Sequence, residues 1–405
     1  MVCTSDMNGG AAIAASRLMH ALQKTDTNIK MLVRDKRSDD FNVIQVGSNQ
    51  SNKWNFYWER GIIFLKNKLS KKHLFDVSIA NTGASITKLP EFQQADIIHL
   101  HWINQGMLSV KEISNILKTG KKVIWTMHDM WAFTGICHHA GKCSHYEQSC
   151  GYCPYMNTNS EKDISHTVFE HKRNAYSKGK ITFVACSQWL KSLADKSPLT
   201  KGQTVVSIPN PIDTQYYSSV DKKTLRQKLH LPIDKKIVLF AAVKASDKRK
   251  GVDYLIEAGK KLEAYKSQIL FLIVGNEGEQ IAKQLDISSL CTGFVNPKQM
   301  HDLYNASDVF LTPSLQENLP NTIMESLACG TPCVGFNIGG IPEMIDHKKN
   351  GYVAEYKDAE DLSKGILWTL FESDSNVLSS NARKKAIAEY EEGKIAKQYL
   401  DIYEQ

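Results

Sequence analysis

The sequence lacks a hydrophobic run long enough to span a membrane. A transmembrane helix needs about 18–20 consecutive apolar residues, and no stretch of this 405-residue chain reaches that length. A basic N-terminal region followed by a long apolar core is also missing, so we expect no secretory signal. The composition, with 42% hydrophobic and 23% charged residues, excludes collagen-like, coiled-coil and disordered chains.

Nine cysteines in a chain of this length, without a signal, fit a reducing compartment better than a disulfide framework. We therefore expect a cytoplasmic protein, with the inner face of the cell membrane as a second location to consider. The chain begins only a few residues before its first glycine pair, so we also expect an unusually short first strand, as a truncated start would leave.

Positive charge is concentrated in the first half of the chain. The net charge is +7, but residues 1–201 carry 26 Lys and Arg against 16 Asp and Glu, whereas the remainder carries 24 against 27. This asymmetry predicts two domains with different partners. An anionic membrane surface, an anionic lipid or a nucleic acid would each suit the front half.

Short apolar strands alternate with helical stretches, which predicts parallel sheets covered by helices on both faces. The predicted strands are 29–33, 96–100, 123–127, 181–185, 205–208, 237–242, 269–274, 290–294, 309–312, 332–334 and 351–353. Pro209-Asn210-Pro211 interrupts the alternation, because neither proline fits a helix interior or a central strand. We predict an α/β protein with two doubly wound domains, 1–208 and 221–385, joined by a linker at 209–220. Ligands would bind beyond the carboxyl ends of the strands.

Two turns are candidate phosphate sites. Gly9 and Gly10 lie between a short strand and a helix, where backbone N–H groups are available to a phosphate. In the second domain, Lys244 and the run Asp247-Lys248-Arg249-Lys250-Gly251 follow the first strand, a placement that suits a diphosphate. The alternatives are a glycine turn required by steric fit alone and a solvated charged turn.

The sharpest motif holds two glutamates eight residues apart. Glu317 falls in the loop after a strand, and Glu325 falls in a helix that starts near Pro320, so both carboxylates can face one cleft and accept hydrogen bonds from hydroxyl groups. Either alone would be an ordinary surface residue. In the first domain, His128 ends a strand, where it is placed to bind a polar ligand or a substrate hydroxyl, although a lone His is usually structural.

Together these motifs resemble the retaining nucleotide-sugar glycosyltransferases of family 4, whose GT-B architecture has two Rossmann-like domains facing across a cleft. The resemblance covers nearly the whole chain, and its most specific element is the Glu-x7-Glu pair. Residues 208–213 look like the family's interdomain linker. In the front half, 9–12, 101–104 and 128–135 resemble bacterial enzymes of the colanic-acid type. The composition of 376–405 indicates helix, and we expect 386–405 to form a C-terminal helix that returns to the first domain.

The resemblance implies transfer of a sugar from a nucleotide-sugar donor to a saccharide or lipid-linked saccharide, with retention, in surface polysaccharide biosynthesis. No cofactor is needed for that chemistry. The implied catalytic residues are Glu317, at the donor sugar, and His128, at the transferred sugar. The implied donor-binding residues are Lys250 and Lys244 at the diphosphate, Gly9 and Gly10 facing the same phosphates, Asn318 and Leu319 after the first glutamate, and Glu325 at the ribose.

The sequence departs from the family pattern at two places. Lys244 stands where the family often has Arg. The common Gly-Phe-Gly after the first glutamate is Asn318-Leu319-Pro320 here, and Pro320 has no N–H to offer a donor. The leaving diphosphate would be stabilised by lysines and helix N-termini without a metal. Because no carboxylate nucleophile is evident, a phosphate oxygen of the leaving group would take the acceptor's proton.

Two features fall outside that pattern. Cys137, Cys143, Cys150 and Cys153 end in a Cys-x2-Cys knuckle and predict a tetrahedral structural zinc site that would order a long loop; free thiols or reversible disulfides are the alternatives. Residues 53–72 predict a basic amphipathic helix with aromatic anchors, suited to an anionic membrane surface. The alternative is an ordinary helix whose apolar side packs on the sheet.

Two other functions remain to be compared with transfer. A nucleotide-sugar epimerase on the same scaffold would convert the donor alone, but the spacing of Glu317 and Glu325 favours transfer. A nucleic-acid-binding protein is suggested by the basic front half and the four cysteines. The charge is scattered, however, and no recognition-helix, RNA-binding or finger pattern of fixed spacing is present, so we expect no nucleic-acid partner.

Overall fold

The computed structural model describes residues 1–405 and contains two parallel β-sheets. The chain divides into two units, of which the first comprises Met1–Pro209 with Ile395–Gln405 and the second Asn210–Lys394. Each unit has its own sheet and its own hydrophobic core. The second unit thus begins at Asn210, inside the proline-flanked stretch.

The first unit is built on seven strands in the order β3-β2-β1-β4-β5-β6-β7. The strands are β1 Val2–Ser5, β2 Met31–Asp35, β3 Val43–Gln45, β4 Ile97–Leu100, β5 Lys122–Met127, β6 Ile181–Ala185 and β7 Thr204–Ser207. The helices are α1 Gly10–Gln23, α2 Asn49–Lys66, α3 Pro90–Gln94, α4 Val110–Lys118, α5 Ile164–Tyr176 and α6 Gln188–Ala194, with short 3-10 turns at Trp131–Phe133 and His145–Glu147. Because apolar clusters cover both faces of this sheet, its central strands read as continuous apolar runs.

The second unit is built on six strands in the order β10-β9-β8-β11-β12-β13. The strands are β8 Lys236–Lys244, β9 Ile269–Asn276, β10 Ser289–Gly293, β11 Val309–Thr312, β12 Cys333–Phe336 and β13 Gly351–Ala354. The helices are α7 Lys222–Lys228, α8 Val252–Lys261, α9 Gly278–Ala282, α10 Pro297–Ala306, α11 Asn321–Ala328, α12 Ile341–Met344, α13 Ala359–Leu367 and α14 Ser375–Glu389, with 3-10 turns at Lys248–Lys250 and Glu263–Tyr265 and a π-helical turn at Trp368–Glu372.

Both sheets reverse their strand order at one place. The chain builds outward from β1 to β3, then returns to the other side of β1 with β4; the second unit repeats this with β8, β9, β10 and then β11. Loops at the carboxyl ends of the two strands that flank such a reversal diverge to opposite faces and leave a crevice for a ligand. The β8–β11 reversal is therefore the place to look for a nucleotide site in the second unit.

The prediction of two doubly wound Rossmann-like domains is confirmed, and each predicted strand overlaps an observed one. The short edge strand β3 was not predicted. The C-terminal segment differs from the prediction of one helix over 386–405: α14 ends at Glu389, and α15 then runs over Glu392–Glu404. From Ile395 onward this last helix belongs to the first unit, where it packs its buried side on the sheet. None of the helices combines the length and the apolar character that crossing a membrane requires.

Candidate active site

The carboxyl ends of β8 and β11 bring together two of the predicted site residues. Lys250 ends the short 3-10 turn that follows β8, and Glu317 lies in the loop that follows β11. The Nζ of Lys250 forms an ion pair and a hydrogen bond with Oε1 of Glu317. The glutamate side chain is 14% exposed and the lysine 38% exposed, so the pair lies at the border of the protein and the solvent. Its two charges lie at the topological switch point, where a ligand is expected.

A backbone contact holds the lysine turn against the glutamate loop. Gly251 has a φ of 72°, and a Cβ added there would lie 1.7 Å from the carbonyl oxygen of Pro313. Only glycine permits this approach, because any side chain would overlap the Pro313 carbonyl. The N–H of Leu315 donates to the carbonyl oxygen of Arg249 at 2.8 Å and fixes the same two segments.

A third loop, after β12, supports the segment that carries Glu317, Asn318 and Leu319. Gly339 has a φ of 61°, and a Cβ there would lie 1.8 Å from the carbonyl oxygen of Glu317. The N–H of Gly340 donates to the carbonyl oxygen of Asn318 at 2.8 Å. Asn318 and Leu319 are both buried, so this segment is part of the folded body of the unit.

Glu325 lies on α11 and is 8% exposed. The hydroxyl of Tyr304, on α10, donates to its Oε2 at 3.0 Å. Burial, together with the neighbouring Glu325, raises the pKa of Tyr304 well above its usual value, so the tyrosine keeps its proton and acts as a donor. The predicted position of Glu325 on a helix that starts after Pro320 agrees with the observed helix.

Lys244 occupies a different position from Lys250. It ends β8, its side chain is 59% exposed, and its Nζ lies 3.0 Å from Oε1 of Glu277. Glu277 follows β9, on the side of β8 away from β11. The structure therefore brings Lys250 and Glu317 together but pairs Lys244 with a glutamate that the sequence did not indicate.

In the first unit, Gly9 and Gly10 form the turn from β1 to α1. Gly9 is the N-cap of α1 with a φ of 93° and contributes no side-chain hydrogen bond to the helix. Both glycines are exposed. The start of a 14-residue helix carries a partial positive charge that favours an anion, which agrees with the predicted phosphate contact without testing it.

His128 follows β5 and belongs to a stack of three histidine rings. Its Nε2 lies 3.1 Å from Nδ1 of His101, and the ring of His101 stacks on that of His99 with 4.3 Å between centroids. Burial lowers the pKa of His128 to about 4 and lowers those of His99 and His101 well below the usual value. At neutral pH the stack is therefore uncharged, and Nδ1 of His128 lies 3.6 Å from Sγ of Cys186.

Asp129 organises the loop next to His128, a role that the sequence did not reveal. Its carboxylate accepts from Nε1 of Trp102 at 2.7 Å and from the N–H of Trp131 at 2.8 Å, and it lies 2.7 Å from Nδ1 of His138. Burial disfavours its ionisation, but His138 and the other donors outweigh burial and lower its pKa to about 2. The sequence indicated the His128-Asp129 pair at the end of a strand, but it did not indicate that Trp102 and His138 would contact Asp129.

The four cysteines of the predicted zinc site line one small cavity in the loop between β5 and α5. Cys137, Cys143, Cys150 and Cys153 are all free thiols. The N–H of Gly135 donates to Sγ of Cys150 at 3.2 Å. Burial raises the pKa of the thiol of Cys137, Cys150 and Cys153 to about 12. No group of three or more His, Cys, Asp or Glu side chains is arranged to hold a metal ion. The zinc site stays a prediction.

The predicted amphipathic helix at 53–72 is α2, which ends at Lys66. Two of its charged residues differ from the prediction of a solvated basic face, because Glu59 and Arg60 are buried. The alternative, in which the apolar side packs on the sheet, is also wrong for most of the helix: Trp54, Tyr57 and Leu65 are exposed.

Comparison with known proteins identifies relatives of both units. Residues 221–385 match the family described as glycosyl transferases group 1. The chain is 25% identical over 347 residues to an uncharacterized glycosyltransferase of Methanocaldococcus jannaschii, a match that covers 78% of this chain and 86% of that one. It is 26% identical over 208 residues to the Escherichia coli UDP-Gal:alpha-D-GlcNAc-diphosphoundecaprenol alpha-1,3-galactosyltransferase, covering 48% of this chain and 53% of that one.

Among solved structures, HepE of Anabaena in complex with UDP has a TM-score of 0.65 and 17% sequence identity, and the match covers 100% of this chain and 98% of that one. At this identity the likeness shows the fold alone, which is GT-B. The family match lies in the unit that carries Lys250, Glu317 and Glu325. Because that family consists of transferases, the match favours transfer over the epimerase alternative.

Proposed function

We propose that the chain is a retaining glycosyltransferase of the colanic-acid type that builds a surface polysaccharide, and the match of residues 221–385 to the glycosyl transferases group 1 supports this. The donor is a nucleoside diphosphate sugar and the acceptor is a saccharide or a lipid-linked saccharide. An acceptor on a lipid carrier sets the reaction at the inner face of the cell membrane. The ion pair of Lys250 and Glu317 at the β8–β11 switch point is the observation that carries this proposal.

The ion pair supplies both charges that the donor needs. Lys250 would turn from Glu317 to the diphosphate, where an ammonium group is an effective point charge for phosphate oxygens. Glu317 would then accept hydrogen bonds from hydroxyl groups of the donor sugar. Glu325, oriented by Tyr304, would bind the ribose, and the exposed turn at Gly9 and Gly10 would contribute N–H groups to the phosphates. HepE in complex with UDP supports UDP as the first nucleotide to test.

The proposed reaction replaces one bond at the anomeric carbon with another on the same face. The bond between that carbon and the diphosphate oxygen breaks, and the oxygen keeps the electron pair. The acceptor hydroxyl oxygen forms the new bond, and its proton passes to a phosphate oxygen of the leaving nucleoside diphosphate. Lys250 stabilises the negative charge that develops on that leaving group in the transition state. Electrostatic stabilisation of this kind is usually the largest single contribution to the rate enhancement.

His128 is suited to hold the transferred sugar, because a neutral imidazole has one nitrogen that donates and one that accepts. Two neighbours orient the ring: Nδ1 of His101 lies 3.1 Å from Nε2 of His128, and Sγ of Cys186 lies 3.6 Å from its Nδ1. For the acceptor, the activity named for the Escherichia coli relative, a transfer to a sugar on diphosphoundecaprenol, supports a lipid-linked saccharide.

A donor-binding assay tests the proposal first. We expect UDP or another nucleoside diphosphate to raise the thermal unfolding midpoint of the full-length protein, because a ligand of the native state stabilises it by mass action. Lys250→Ala should reduce this shift strongly. Lys248→Ala is the matched control, because Lys248 is an exposed cation of the same turn, and it should leave the shift nearly unchanged.

A transfer assay tests the chemistry. Glu317→Gln keeps the size of the side chain and removes its charge, and we expect transfer to fall about 10²-fold or more while nucleotide binding remains. Retention is read from the anomeric configuration of the product by NMR. Normal turnover by Glu317→Gln would contradict the assigned role, an inverted product would contradict retention, and conversion of the donor without an acceptor would support an epimerase.

A further inference from the structure

The side of α2 that faces the protein is mostly polar, since Asn52, Glu59 and Arg60 are three of its four buried residues. Glu59 is 0% exposed, and its Oε1 accepts hydrogen bonds from the N–H groups of Ile79 and Ala80 at 2.8 and 2.9 Å. Arg60 is buried beside it, with 2.9 Å between Nη2 of Arg60 and Oε2 of Glu59. Its guanidinium also donates to the carbonyl oxygen of Val77 at 2.9 Å. A buried ion pair thus helps to fasten the helix to the unit, together with the core residue Ile63.

The opposite side of α2 carries an apolar stripe that faces solvent. Its members within the helix lie one, three or seven positions apart, which keeps them on one side, and the stripe continues past the end of the helix. They are Trp54 (65% exposed), Tyr57 (67%), Trp58 (46%), Leu65 (61%) and Leu69 (62%). The indole rings of Trp54 and Trp58 stack with 5.6 Å between centroids. Five large apolar side chains gathered on one surface mark an interaction site, whereas single exposed apolar residues are common on any protein.

The exposed charge around this stripe is of one sign. The lysines of the segment are all exposed: Lys53, Lys66, Lys68, Lys71 and Lys72. The one acid between Lys53 and Lys72 is Glu59, and its charge is consumed in the buried pair with Arg60. At 100° per residue, Lys53 and Lys66 fall on opposite flanks of the stripe that contains Trp54 and Leu65. An aromatic and aliphatic centre with lysines along its edges is the pattern of a helix that lies in a membrane interface.

We propose that the α2 surface, defined as Trp54, Tyr57, Trp58, Leu65, Leu69 and the five lysines around them, docks the protein on an anionic lipid membrane. The indole and phenol rings enter the headgroup region, the leucines reach the acyl boundary, and the lysines bind lipid phosphates. A nucleic acid would use the lysines and could stack on the rings, but Leu65 and Leu69 have no counterpart in it. The proposal rests on the proposed function only in that a lipid-linked acceptor lies in such a membrane.

Vesicle sedimentation of the full-length protein tests the apolar half of the surface. We expect binding to vesicles of phosphatidylcholine mixed with phosphatidylglycerol and weak binding to phosphatidylcholine alone. The triple variant Trp54→Ser, Trp58→Ser and Leu65→Ser should lower the partition constant at least tenfold. It should fold normally, because these side chains are largely exposed. Phe41→Ser is the matched control, since Phe41 is an aromatic residue of the same unit that is 86% exposed, and its binding should equal that of the unchanged protein.

A second variant tests the charged half. Each lysine near an anionic surface contributes about fivefold to binding, so changing Lys66, Lys68, Lys71 and Lys72 to Gln should lower binding to the anionic vesicles more than tenfold and remove its dependence on salt. Lys118→Gln is the control, because Lys118 is an exposed lysine at the end of α4, outside the α2 surface.

Three results would overturn the proposal: no binding to anionic vesicles, unchanged binding of the triple apolar variant, or a dimer or nucleic-acid complex that is lost on removing Trp54 and Trp58. UDP-dependent thermal shifts are measured on every variant. Unchanged protein that shows a UDP-dependent thermal shift but does not bind vesicles would refute the docking surface and leave the proposed function intact. Absence of a UDP-dependent thermal shift in the unchanged protein would argue against the proposed function alone.

Discussion

Replacing Gly251 by Ala tests whether close backbone packing sets the position of Lys250 beside Glu317. A Cβ at position 251 would lie 1.7 Å from the carbonyl oxygen of Pro313, and the φ of 72° is one that Ala adopts at a cost. Because the obstacle is backbone, no side-chain rotation relieves it. Either the turn that carries Lys250 or the loop that carries Glu317 must move, and the ion pair between them is expected to break or lengthen.

Gly293 provides the reference for the magnitude. Its φ is 67°, nearly that of Gly251, but a Cβ there would meet nothing within 4 Å. Gly293→Ala therefore carries only the cost of a left-handed alanine, about 1–2 kcal/mol, less the gain of about 0.4–1 kcal/mol from a stiffer unfolded chain. Gly251→Ala adds the cost of an overpacked site, about 1–3 kcal/mol. We expect about 1 kcal/mol for the reference and about 2–4 kcal/mol for Gly251→Ala.

The assay is urea denaturation of the full-length protein, combined with amide hydrogen exchange to locate the loss of stability in the second unit. The UDP-induced shift of the thermal midpoint is measured on the same two variants. Gly251→Ala should lose most of this shift and Gly293→Ala should keep it. If Gly251→Ala costs no more than Gly293→Ala and binds UDP normally, the contact with Pro313 does not position the lysine, and the site is built in another way.

Two further predictions follow from the first unit. The first concerns pH: the pKa of a histidine is near 6.5 in the unfolded chain, whereas burial lowers the pKa of His128 to about 4 in the folded protein. The free energy of unfolding should therefore fall as the pH drops from 6.5 toward 4. Urea midpoints that stay constant over this range, or that move equally in His128→Gln, would contradict this prediction. The second concerns zinc: metal analysis should find about one zinc ion per chain, and the double variant Cys150→Ser, Cys153→Ser should contain less zinc. A zinc-free protein in which the backbone amides of residues 134–163 remain protected from hydrogen exchange would exclude a structural metal.

The strands were predictable because parallel strands covered on both faces need apolar residues at every position. β6 and β11 were predicted with their observed bounds. β3 was not predicted because it has only three residues at the sheet edge, of which one is buried, and therefore contains no continuous apolar run. The single C-terminal helix was predicted from composition, which does not register the break at Tyr390 and Glu391 between α14 and α15.

The sequence predicted the positions of the candidate site residues at strand ends but not the contacts between them. Lys250 and Glu317 were each placed at the carboxyl end of a strand, yet 67 positions separate them in the sequence. Their contact depends on β11 lying next to β8, a property of strand order that no local pattern encodes. The same holds for His128, whose neighbours His99 and His101 come from another strand end, and for Lys244, which turns toward β9 and Glu277.

The helix α2 shows why periodicity alone cannot assign a surface. An apolar stripe at helical spacing predicts which residues share a side but not whether that side faces the core or the solvent. Here the decision comes from Glu59 and Arg60. The backbone N–H groups of Ile79 and Ala80 donate to the Glu59 carboxylate, and burying that carboxylate is tolerable only with its cation, Arg60, beside it. Because this pair faces inward, Trp54 and Leu65, on the opposite side of the helix, face outward. The inward position of Glu59 also leaves the exposed part of the segment without an acidic residue. The apolar stripe and the uniform positive charge of the α2 surface thus have a single structural cause.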